Sequence, residues 1–195
     1  MTASVALGVL ASGRGTNLVN LVERGYRVVA VATNRPACGA ASYARGRGTP
    51  LGEFPQGRYP SVEARDAAMC RWLCDRGVEL VVNAGYDRIL TPGFVAAFRG
   101  RILNLHPSLL PAFGGGMDAV SQALAHGVKI TGCTVHIVTD QVDAGPILLQ
   151  AAVPVLDGDT RDTLLARIQV EEHRILPEAI ELLAERIQDC APLRQ

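Results

Sequence analysis

Arg101-Ile-Leu-Asn-Leu-His-Pro-Ser-Leu-Leu-Pro111 is the stretch on which the reading of this chain turns. Its first half is apolar except for Asn104 and His106, which stand two apart. Successive side chains of a strand point to opposite faces, so these two project from the same face. Pro107 has no N–H with which to continue a ladder and ends the strand. An amide and an imidazole are therefore expected side by side at the carboxyl end of a strand, where open α/β sheets bind ligands.

Toward the N-terminus the pattern repeats a strand–helix unit. Val5-Ala-Leu-Gly-Val-Leu10 is continuously apolar, as suits a strand buried on both faces. Ala11-Ser-Gly-Arg-Gly-Thr-Asn17 is a glycine-rich turn into a helix over 18–24. Backbone N–H groups at such a turn can cradle a phosphate, although a tight turn without a ligand has the same composition. The turn lacks Gly-Lys-Ser/Thr and full G-x-G-x-x-G spacing. The strand over 26–32 ends in Thr33-Asn34-Arg35, with no acid for a ribose hydroxyl, which argues against a nicotinamide dinucleotide. A small-residue helix over 38–45, a short apolar segment near 49–51 and a surface loop over 52–60 follow. Ser61 then caps a helix running to about 76, whose Trp72 is assigned to core packing. A strand over 78–84 and a helix opened by Pro92 lead into the 101–111 stretch.

Beyond it, Phe113-Gly-Gly-Gly-Met-Asp118 reads as a flexible loop and 119–126 as a helix. Runs rich in β-formers at 130–138 and 147–155 are joined by Thr139-Asp-Gln-Val-Asp-Ala-Gly145. His136 lies within the first of them, and a catalytic role and a hydrogen-bonded sheet histidine are equally open. A long helix over 161–188 carries an apolar face through Leu164, Leu165, Ile168 and Ile175; Pro177 is expected to kink or break it. A polar tail follows. The fold expected is α/β: a Rossmann-like, doubly wound, mostly parallel central sheet, with a β-rich, partly antiparallel C-terminal part and a long final helix.

The 195 residues suffice for one core, and no repeat or linker divides them, so a single domain over 1–195 is expected. Hydrophobic residues make up 48%, charged residues 19%, and the formal net charge is zero, which excludes a disordered chain and gives no basic footprint for nucleic acid. No apolar run reaches membrane-spanning length and no signal-type start is present, so a cytoplasmic protein without a membrane partner is expected. Five scattered cysteines, Cys70 and Cys74 four apart on a helix, are read as reduced thiols, and no metal site is expected.

Asn104, His106 and an acid from the Asp140/Asp143 loop form a plausible chemical set. An amide N–H and an imidazolium can stabilise an oxyanion, and a carboxylate beside the ring favours its charged form. That would suit acyl or formyl transfer to an amine. No serine or cysteine occupies a nucleophile elbow, so a covalent intermediate is not indicated. On spacing alone, a hydrogen-bonded strand end is an equal reading of Asn104 and His106.

Asn104-Leu-His-Pro-Ser-Leu-Leu-Pro111 and Asp140-Gln-Val-Asp-Ala-Gly-Pro146 resemble the two signatures of the folate-dependent formyltransferase superfamily. Ser12-Gly-Arg-Gly-Thr-Asn17 and Tyr86-Asp-Arg-Ile-Leu90 are similar to the phosphate loop and folate-binding stretch of its purine-synthesis branch. The resemblance covers 5–177. It implies transfer of the formyl group of 10-formyltetrahydrofolate, a co-substrate, to the amine of glycinamide ribonucleotide. Asn104, His106 and Asp143 would be catalytic. Gly15, Thr16, Asn17, Gln169 and Glu172 would hold the acceptor, and Arg88, Ile89, Leu90, Thr139, Asp140 and Val142 the folate. His136 falls on a family histidine near the site. Residues 1–100 would form the phosphate-binding half and 101–195 the catalytic and folate-binding half, in a monomer or homodimer whose partners are small molecules.

The sequence departs from the family at three places. Asp87 stands where an apolar residue is usual, the Gly114–Asp118 loop is longer and looser, and Val62 replaces a folate-contacting arginine, with Arg65 nearby. The alternatives are a related formyltransferase acting on another small amine, or a protein that binds formyl-folate without this activity. A tRNA formyltransferase or a formyl-folate hydrolase would need a further domain, for which this chain leaves no room.

Overall fold

In the computed structural model, which describes residues 5–116 and 118–189, the first apolar run gives strand β1 (Leu7–Leu10), buried along its whole length. Met117 of the glycine loop, the first four residues and residues 190–195, with Cys190 and the polar tail, lie outside the described residues.

Helix α1 (Thr16–Glu23) starts earlier than the apolar pattern indicates, so Thr16 and Asn17 belong to its first turn. The cause is Gly15, whose φ of 83° turns the chain sharply into the helix. A Cβ there would lie 2.7 Å from Ala40 Cα, so the position needs glycine both for its conformation and for the close approach. Strand β2 (Val28–Thr33), helix α2 (Gly39–Arg47) and the short β3 (Leu51–Glu53) follow. Ser61 Oγ accepts from Ala64 N–H at 3.1 Å and caps α3 (Val62–Cys74), which leads to β4 (Leu80–Asn83), α4 (Pro92–Ala97) and β5 (Ile102–His106). The second half supplies α5 (Ala119–His126), β6 (Ile130–Ile137), β7 (Ile147–Pro154) and α6 (Arg161–Asp189).

The sheet has the order β3-β2-β1-β4-β5-β6-β7. The first five strands pair in parallel, and both the β5–β6 and β6–β7 pairs are antiparallel. Side-chain alternation divides the core. Leu7, Val9, Leu80, Val82, Leu103 and Leu105 join the layer shared with α1, α5 and α6. Leu10, Val81 and Ile102 join the layer shared with α3 and α4. Strand order reverses between β1 and β4, so the loops leaving these strands splay apart and open a crevice at their carboxyl ends.

Pro177 does not break α6, which runs unbroken from Arg161 to Asp189. Proline cannot supply the N–H that the carbonyl four residues back requires. That carbonyl, of His173, instead accepts from Asn20 Nδ2 of α1 at 2.9 Å. The carbonyl of Pro177 accepts from Tyr26 Oη at 3.3 Å, and the same hydroxyl lies 2.8 Å from Glu181. Helix α1 and the chain after it are thus seated on the proline turn of α6, alongside the buried Leu164, Ile168, Ile175 and Ile180.

Candidate active site

Asn104 and His106 lie at the carboxyl end of β5, and the antiparallel register sets Asn104 directly opposite His136. Asn104 Nδ2 is 3.0 Å from His136 Nε2. This pairing joins strands 32 residues apart in sequence, and it brings in a histidine that the sequence left open between two roles.

Asp143 comes from the loop between β6 and β7. Its φ of 52° places a non-glycine residue in the left-handed region, a local cost of about 1 kcal/mol or more. The loop is tight: a Cβ on Gly145 would fall 1.8 Å from the Ile137 carbonyl oxygen. The carboxylate is held from several sides. Oδ2 accepts from Gly115 N–H at 2.8 Å and lies 3.4 Å from His106 Nδ1. Oδ1 lies 3.4 Å from Asn104 Nδ2 and 3.6 Å from His136 Nε2. His136 is the largest influence lowering the pKa; burial opposes it, and Gly115 N–H and the charge of His106 reinforce it. Together they bring the Asp143 carboxyl down to about 2.

The other nitrogen of His106, Nε2, is 3.1 Å from the Phe113 carbonyl oxygen. Both ring nitrogens therefore face oxygen acceptors. Neither Gly115 nor Phe113 is visible as a site residue from sequence, because each acts through its backbone.

These side chains form one end of a cleft of about 370 Å³, within the usual range for small-molecule sites. Arg88, Ile89 and Leu90 line one wall, and Thr139, Asp140 and Val142 line another. Ile89 and Val142, from the two walls, are large apolar side chains left 71% and 50% exposed in this cleft, a surface suited to a flat ring. Val62 and Arg65 are not among the lining residues. Arg65 is buried in an ion pair with Asp66 Oδ1 at 2.7 Å.

Gly15, Thr16, Asn17, Gln169 and Glu172 are brought together separately, where the start of α1 meets α6. Asn17 Nδ2 donates to Glu172 Oε2 at 3.0 Å, and Arg14 Nη2 donates to Gln169 Oε1 at 3.3 Å. Burial pushes the Glu172 carboxyl up, and the hydrogen bond from Asn17 partly offsets this. Asn17 Oδ1 is buried without a partner. Ser12, Gly13 and Arg14 of the glycine-rich turn, with Arg35 and Gly39, line a second, open cavity of about 480 Å³, and Gly15, Thr16 and Asn17 follow them in the chain. The two cavities adjoin, since Ser12 N–H on one donates to the Gly85 carbonyl on the other at 3.0 Å. Among the described residues no cluster of His, Cys, Asp or Glu could hold a metal ion, and no helix is long and apolar enough to cross a membrane.

The arrangement sets an amide, two imidazoles and a carboxylate beside a glycine-rich turn. A family model described as formyl transferase matches residues 6–180. A phosphoribosylglycinamide formyltransferase of Mycobacterium tuberculosis is 46% identical over 188 residues, covering 94% of this chain and 86% of that protein. The protein of the same name from Escherichia coli is 39% identical, covering 91% and 86%. The crystal structure of glycinamide ribonucleotide transformylase 1 from Symbiobacterium toebii superposes with a TM-score of 0.90 at 49% identity, covering 95% and 90% of the two chains.

Proposed function

This chain belongs to the formyl transferase family, and we propose that it transfers the formyl group of 10-formyltetrahydrofolate to the amine of glycinamide ribonucleotide in purine synthesis. The observation that carries the reading is the meeting of Asn104, His106, His136 and Asp143 at one end of the cleft, with the glycine-rich turn one hydrogen bond away. On this reading the partners are small molecules met in the cytoplasm.

The exposed apolar pair Ile89 and Val142 supports a flat pterin ring in the cleft, and residues 88–90 and 139–142 would hold the folate. When bound, it supplies a formyl carbon attached to a nitrogen that can leave. The acceptor amine would add to the formyl carbon, moving the C=O electron pair onto oxygen; the old C–N bond would break as that pair returns, and one proton would pass from the acceptor nitrogen to the departing nitrogen. Asn104 would donate its amide N–H to the formyl oxygen as negative charge develops there. His106 would supply a second donor to the same oxygen.

A carboxyl held near 2 is a weak base at neutral pH. Asp143 would therefore act as a fixed negative charge that orients His106 through Nδ1, and the imidazole would move the proton. His136 would keep the Asn104 amide in position. Asn17, Gln169 and Glu172 would take the polar groups of the acceptor, and the backbone of Gly15 and Thr16 its phosphate.

The test is to incubate purified protein with 10-formyltetrahydrofolate, with and without glycinamide ribonucleotide. Loss of formyl-folate that requires the acceptor is expected. Loss without the acceptor would mean hydrolysis. No loss in either arm would leave a related transferase with another acceptor, or a binding protein.

A further inference from the structure

Ser12, Asn34 and Asp87 lie beyond the carboxyl ends of the neighbouring strands β1, β2 and β4 and close a ring of hydrogen bonds. Asp87 N–H donates to Ser12 Oγ at 3.1 Å, Ser12 Oγ donates to Asn34 Oδ1 at 2.5 Å, and Asn34 Nδ2 donates to Asp87 Oδ1 at 2.8 Å. Each of these side-chain groups has its complementary partner, so the ring fixes the Asp87 carboxylate in one orientation. Its second oxygen, Oδ2, pairs with Arg35 Nη2. Asp87 lines the catalytic cleft and Arg35 lines the second cavity, so the pair spans the rim between them.

We infer that Asp87 is a positioning residue for the acceptor's phosphate: it holds the Arg35 guanidinium over the second cavity, ready to receive the anion. The Arg35 side chain is 60% exposed, and a free arginine at such a site loses rotamer freedom whenever it clamps an anion. Tethering it beforehand lowers that cost. The contact with Asp87 uses Nη2 and leaves Nε and Nη1 of the planar fork as donors. Charge is not cancelled at the cavity, because Arg14 lines it too and is tied to the neutral Gln169 at 3.3 Å. The two arginines of this cavity are thus tethered by different elements: Arg14 by α6, and Arg35 by the loop after β4.

Burial works against charge on Asp87, but Asn34, Ser12, Arg35 and Arg88 together hold its carboxyl below the usual carboxylate range, so the tether is ionised at neutral pH. Asp87→Asn keeps the shape and can keep the contact with Asn34, but it removes the charge that faces Arg35.

The inference rests on the proposed function, and two measurements keep them apart. In the first, ribose 5-phosphate is titrated by phosphorus NMR into protein without folate. Arg35→Ala is expected to weaken binding about tenfold or more, the range of one charge-assisted hydrogen bond, and Asp87→Asn, which loosens the arginine without removing it, by about threefold. The double variant should be no weaker than Arg35→Ala alone, and Arg35→Lys should recover part of the loss. In the second, the same variants should raise KM for glycinamide ribonucleotide by a larger factor than they lower kcat. Unchanged ribose 5-phosphate binding in either single variant, or additive losses in the double, would overturn the inference. Normal phosphate binding in a wild-type protein that does not turn over glycinamide ribonucleotide would count against the functional reading alone.

Discussion

Asn104 and His136 meet across the antiparallel β5–β6 joint, whereas Gly15 and Asn17 reach their partners through a backbone turn and a helix seated on another helix. The first end of the site depends on side chains from separate strands converging on one carboxylate. The second depends on where backbone is allowed to go. On the proposed function, chemistry would be concentrated at the first, where Asp143 faces His106, His136 and Asn104 within 3.4–3.6 Å. Binding of the acceptor would be concentrated at the second. Damage to the first end should therefore appear in kcat, and damage to the second in KM or in stability.

The strongest test of that division is Asp143→Asn. It keeps the size of the side chain and removes the charge facing both histidines. A loss in kcat of about 10²–10⁴-fold is expected, the range for a positioned acid–base system, with KM for the acceptor changed only a few-fold. A rise in acceptor KM with kcat preserved would break the comparison. The same residue predicts a pH effect on stability. Its folded pKa, about 2, lies below the ordinary value of 3.8, so its stabilisation is complete above pH 4 and is lost as pH falls toward 2. The loss is about 2 kcal/mol, and denaturant melts of the Asp143→Asn protein over that pH window should lack this component.

How much of this could be read in the sequence follows from how far each relation reaches along the chain. Asn104 and His106 share a face by local period, so their placement needs nothing but the strand. The parallel order of the first five strands follows from the alternation of apolar runs with helices and glycine turns. From the residues alone His136 was legible as a histidine within a β-rich run, and the resemblance added only that it falls on a family histidine near the site. Its partnership with Asn104 is a matter of register, and slipping the pairing by one residue would turn it to the other face of the sheet. Gly115 and Phe113 act through N–H and C=O groups, which every residue carries. Asp87 was visible as a departure from the family, but its link to Arg35 runs through three strand ends. Pro177 misled, because the donor that replaces its missing N–H sits on another helix.

A smaller effect is expected at the second end from Gly15→Ala. Alanine at a φ of 83° costs about 1 kcal/mol, and its Cβ would press within 2.7 Å of Ala40 Cα, so the turn into α1 must shift. Acceptor KM should rise several-fold and the melting temperature should fall, while kcat at saturating acceptor changes less. A variant that melts normally and loses only kcat would show that the turn belongs with the chemistry and would merge the two ends.

The smallest effect separates seating from binding. Asn20 contacts neither cavity, but it donates to the His173 carbonyl that Pro177 leaves without a helical partner. Asn20→Ala removes one hydrogen bond from a partly buried carbonyl, a loss of about 1 kcal/mol, or roughly 2–4 °C in melting temperature for a chain of this size. Asn20 Oδ1 also accepts from Arg24 Nε at 3.0 Å, on an exposed surface where such contacts contribute little. The background decides which contact matters. Pro177→Ala restores an N–H that can reach the His173 carbonyl, so Asn20→Ala should cost less in that background than in the wild type. Equal costs in both would mean that Asn20 stabilises α1 through Arg24 and packing, and that the proline turn of α6 is satisfied by some other donor.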